Sequence, residues 1–108
     1  MESIEEYAMF MHEKKSLVGM SDWTVFVSDE FKDMDEEATV VVNIYDKTLK
    51  VDLSTKFEGF DERRKKNVLM HELVHAKIAA YNEEIRELIN AREEHLVNDL
   101  TKGYEDLL

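Results

Sequence analysis

The chain of 108 residues has no cysteine, no proline and only three glycines. Lack of cysteine excludes disulfides and thiolate metal ligands, so any metal site must be built from histidine and carboxylate. It also points weakly to a reducing compartment. Lack of proline leaves every helix and strand uninterrupted. Long apolar runs are missing as well: none nears the ~20 residues of a membrane span. The start, Met1-Glu2-Ser3, is unlike the basic opening of a signal peptide. The expectation is an intracellular, cytoplasmic chain. Basic residues are the minority, 14 against 25 acids, leaving a formal net charge of −11. Such a surface repels nucleic acid and anionic membranes, and neither is expected as a partner. A solvated, soluble surface is the simplest use of that charge; a basic protein partner is the other.

What is present fits one globular domain over residues 1–108. Apolar residues make up 44% of the chain, with five Phe, four Tyr and one Trp. Residues 2–18 space Ile4, Tyr7, Ala8, Met11 and Leu17 at helical period, and Gly19 ends that helix. His12 has no ligand partner at helical spacing and reads as a surface residue. From Trp23 the texture changes: Trp23, Val25 and Val27 alternate with Thr24, Phe26 and Ser28, as in a strand. Asp29 to Glu37 reads as an acidic, solvated connector, without the glycine and terminal acid of a calcium loop. Ala38 to Tyr45 is the strongest strand, Asp46-Lys47 a turn without the usual glycine, and Leu49, Val51 and Leu53 the apolar face of a third strand. Gly59 and Phe60 close this part.

Asp61 is a good N-cap, and Arg63 to Lys66 form a basic, solvated stripe behind it. The helix turns apolar at Val68 and is expected to end near Tyr81, with Asn82 capping a second helix whose apolar face runs from Ile85 to Leu107. The predicted fold is therefore α+β: an N-terminal helix, a small antiparallel three-stranded sheet, then two packed helices.

The first of those two helices contains His71-Glu72-Leu73-Val74-His75, an H-E-x-x-H motif. Histidines four residues apart project from one helix face, so both rings can reach a single divalent metal, and zinc accepts imidazole nitrogen readily. Glu72 starts about 100° around from His71 and can approach a water on the metal without ligating it. The competing reading is a pair of surface or hydrogen-bonded core histidines. Apolar flanks such as Leu69, Leu73, Val74, Ala76 and Ile78 favour an interior helix, where polar side chains need partners.

A zinc site with an open position wants a third protein ligand. Glu93 lies among Leu96, Val97, Leu100 and Tyr104 at helical steps, where a carboxylate needs explaining. If the chain reverses at Tyr81-Asn82, Glu93 stands about 17 Å up the returning helix and His71 roughly 16 Å down the first, which makes them level. Glu94, one position on, is the rival, and His95 a weaker third.

The motif followed by a glutamate on the next helix resembles the gluzincin metallopeptidases, above all their minimal single-domain forms, including small phage-encoded ones. Trp23, the 38–54 hairpin, residues 61–81 and the stretch Glu93 to Leu100 are similar to those forms in order and texture. The resemblance covers roughly residues 23–108, and only the motif within it is specific. It implies zinc, hydrolysis of a peptide bond in a peptide or protein substrate, and Glu72 as the base that activates metal-bound water. The second domain of larger relatives has no counterpart, and no oxyanion helper stands out beyond Tyr45, Tyr81 and Tyr104. The alternative is a non-catalytic acidic module of the same fold that binds a protein partner. The N-terminal helix or the final Leu107-Leu108 could also cover the metal's open position, although packing is their simpler role.

Overall fold

The computed structural model describes residues 1–105 of the chain, and the surroundings of side chains as far as Asp99; Leu107 and Leu108 lie outside the described residues. The order of elements is helix α1 (Ile4–Lys14), strands β1 (Thr24–Val27), β2 (Ala38–Asn43) and β3 (Thr48–Leu53), and helix α2 (Glu62–Glu105). Short 3₁₀ turns follow α1 at Lys15–Val18 and precede α2 at Phe57–Gly59. Ser3 caps α1 by accepting the Glu6 N–H at 3.2 Å. Gly19 stops the following turn in a left-handed conformation, φ 71°. Asp61 caps α2 through the Arg64 N–H at 2.8 Å, as its position at the helix start predicts.

The sheet is mixed rather than antiparallel. Its order is β1-β3-β2, with β3 parallel to β1 and antiparallel to β2. The strands are those expected, but β3 occupies the centre. A meander would leave β3 on an edge, yet Leu49, Val51 and Leu53 are its fully buried residues and gain most from neighbours on both sides. The acidic connector makes this order possible by passing over the end of β3. Lys32 donates to the Leu53 carbonyl on one side, and Ser54 donates to that of Glu37 on the other. In the β2–β3 turn the Asn43 carboxamide oxygen accepts the N–H groups of Tyr45 and Asp46. Lys47 takes the positive φ, 51°, that glycine would ordinarily supply.

Both helices cover one face of the sheet. Tyr7 and Met11 of α1 meet Val25, Leu49, Val51 and Phe57, and Leu69, Leu73, Ala76 and Ala80 of α2 close the core. Lys65, expected on a solvated stripe, is instead buried: its ammonium donates to the Tyr7 hydroxyl and the Met1 carbonyl, both at 3.1 Å. Arg63, Arg64 and Lys66 remain exposed.

The two packed helices expected after the sheet are one helix of 44 residues. Nothing breaks it at Tyr81-Asn82. No glycine or proline lies between Gly59 and Gly103, and Glu83 to Leu88 are mostly good helix formers. An N-cap at Asn82 would require the helix to stop first, and no residue there takes a left-handed conformation. The second half of α2 therefore runs beyond the sheet, and the molecule measures 69 × 28 × 18 Å.

Candidate metal centre

The first half of α2 carries the motif past the start of β2. Residues at 69, 72, 73, 76 and 80 face the core, which turns His71, Val74 and His75 outward. The two imidazoles converge. Their Nε2 atoms are 2.8 Å apart, with ring centroids at 4.4 Å and planes at 76°. One nitrogen donates to the other here, so both Nε2 atoms face the same space beside the helix, and loss of the shared proton would free both for a metal. Two imidazoles on a tetrahedral zinc, with Zn–N near 2.0–2.1 Å, hold their nitrogens about 3.3 Å apart. A small opening of the pair would meet that geometry, so the donor types and their convergence fit two positions of a zinc ion.

Glu72 lies on the inner side of the same turn and is only 5% exposed. Burial pushes its carboxyl above the ordinary carboxylate range, with His75 and His71 pulling the other way. Its side chain lines a groove of ≈ 450 Å³ together with both histidines. The other walls are Glu36 and Glu37 from the connector, Ala38 at the start of β2, and Arg64, Asn67 and Val68 one to two turns earlier on α2. Arg64 forms an ion pair with Glu37 and stacks over the Phe60 ring, its guanidinium carbon 4.0 Å from the centroid. The histidine pair, Glu72 and the Arg64–Glu37 ion pair thus share one open groove.

Of these wall residues, Arg64 and Asn67 were readable from spacing, since they precede His71 by seven and four residues and so share its face. The sequence holds no comparable signal for Glu36 and Glu37. They arrive because the connector crosses the end of β3, and that crossing follows from the strand order.

Glu93 and Glu94 do not reach the groove within this chain. With α2 continuous, Glu93 stands about 27 Å beyond His75 along the axis at ~1.5 Å per residue. Both glutamates are exposed, and His95 faces Asp99 at 3.5 Å on the same free half. Among the described residues, no three His, Asp or Glu side chains stand together as a metal cage. The tyrosines considered as oxyanion helpers also lie elsewhere. Tyr45 sits in the β2–β3 turn and donates to Glu87, Tyr81 is exposed further along α2, and the Tyr104 side chain is outside the described residues. His12 is exposed on α1, as expected. Neither family models, curated proteins nor solved structures give a match to this chain.

Proposed function

We propose that this chain is a zinc-dependent hydrolase of peptide bonds, with His71 and His75 as metal ligands and Glu72 as general base. The convergence of the two Nε2 atoms beside a buried glutamate in an open groove carries the reading. Zinc at that point supplies a Lewis acid that polarises a carbonyl and brings the pKa of water towards ~7. Glu72 takes a proton from the attacking water as its oxygen bonds to the carbonyl carbon. It returns that proton to the amide nitrogen as the C–N bond breaks. A carboxyl raised by burial suits both halves of this exchange, because it binds the proton more readily yet can release it.

The edge position of β2 gives the substrate a place. Its outer side has no ladder partner among the described residues, and Ala38, its first residue, lines the groove. An extended peptide added along that edge would pass beside the histidines. Peptide-library hydrolysis with wild type and Glu72→Gln tests the chemistry. Zinc content is expected to be unchanged in the variant while hydrolysis falls at least about a hundredfold. Hydrolysis retained by Glu72→Gln would refute the assigned base. The competing reading, an acidic module that binds a protein without turnover, is favoured by the ligand set that one chain leaves incomplete. Histidine-dependent zinc binding with no hydrolysis of any library member would select it.

A further inference from the structure

The outer face of α2 carries an apolar stripe that the domain itself does not cover. Val74, Ile78, Ile85, Leu88, Ile89 and Leu96 recur at three- and four-residue steps, each between 37% and 72% exposed. Two of the steps, Ile78 to Ile85 and Ile89 to Leu96, are sevens, the repeat of a two-helix seam. His71 opens this stripe and Glu93 lies on its flank near the other end. We propose that two copies pack antiparallel along it, so that Glu93 of each copy completes the His71–His75 centre of the other. This rests on the zinc reading and assigns the ligand that one chain does not bring.

Register, flank and charge agree. An antiparallel register centred between Glu83 and Glu84 sets Val74 level with the partner's Glu93, and His75 level with the partner's Arg92. Eighteen residues separate His75 from Glu93, five turns of ~3.6, so both project in one direction from the helix. A two-fold axis normal to the helix pair keeps that flank on the same side in both copies. Glu94 is turned about 100° away from it, which selects Glu93. The core lies on the opposite face of α2, so the domain does not obstruct the approach. Residues 62–77 carry five bases against two acids, and residues 90–105, level with them in this register, carry four acids against two bases. Antiparallel pairing sets these unlike halves together, whereas parallel pairing opposes like with like. The net charge of −11 on each copy opposes association, but physiological salt screens it beyond ~8 Å.

Sedimentation and zinc analysis on the full chain test this. Wild type loaded with zinc is expected to have the mass of two chains and to hold about one zinc per chain. Glu93→Gln is expected to remain folded and to weaken zinc binding at least about tenfold. The decisive arm mixes His75→Ala with Glu93→Gln, neither of which binds zinc well alone. Mixed dimers contain one intact centre, so tight zinc sites should appear at up to about a quarter of the wild-type content. A zinc-loaded monomer that depends on Glu93 would overturn the proposal while leaving the zinc reading in place. So would a mixture that binds no more than its parts. Wild type that binds no zinc through its histidines, dimeric or not, would overturn both.

Discussion

At the scale of single residues, burial decides which side chains serve the fold and which face the groove. Leu73 and Val74 are neighbours within the motif, but Leu73 is fully buried and Val74 is 46% exposed. Leu73→Ala is expected to cost about 2–5 kcal/mol of stability, read by urea unfolding. Val74→Ala should cost well under that at concentrations where the chain is monomeric. Lys65 is the residue that a sequence reading places wrongly. Its stretch of four bases looks like a solvated stripe, yet helical rotation turns one of them inward, where the Tyr7 hydroxyl and a backbone carbonyl receive its ammonium. Lys65→Ala leaves that hydroxyl without its partner and exposes the hole to loss of packing. A destabilisation of about 1–3 kcal/mol is expected in the same assay, against near zero for exposed Lys66→Ala.

At the scale of elements, alternation made all three strands legible, since Val25, Val42 and Leu49 each point where period two puts them. Strand order was not legible. Alternation gives a strand its faces but says nothing about its neighbours, and a parallel β1–β3 pair uses the same pattern as an antiparallel one. The helix break expected at Asn82 is absent for a related reason: Asn is a favourable cap only where a helix already ends, and local composition here keeps it going. Asn82→Ala separates the two pictures by sign. In a continuous helix the change should stabilise by up to about 0.7 kcal/mol, because Ala is the better helix former. At a cap it would destabilise by about 1 kcal/mol.

At the scale of the whole molecule, the continuous α2 sets the shape. The radius of gyration is 19.6 Å, whereas a compact chain of this length has about 13 Å. An elongated body with an uncovered stripe follows from the absence of one turn, and the same absence separates Glu93 from the histidines. The convergence of His71 and His75 beside Glu72 was legible because the three sit within five residues on one helix, where spacing dictates geometry. The distance of Glu93 from them was not, because it depends on how distant segments pack. Among the described residues no helix is long and apolar enough to cross a membrane, in keeping with the short apolar runs.

The central claim is that His71 and His75 hold a zinc ion, and metal content tests it most directly. Purified full-length wild type, dialysed after exposure to zinc, should retain about one zinc per chain, whereas His75→Ala, equally folded by circular dichroism, should retain almost none. Equal zinc in the two proteins, or none in either, would contradict it.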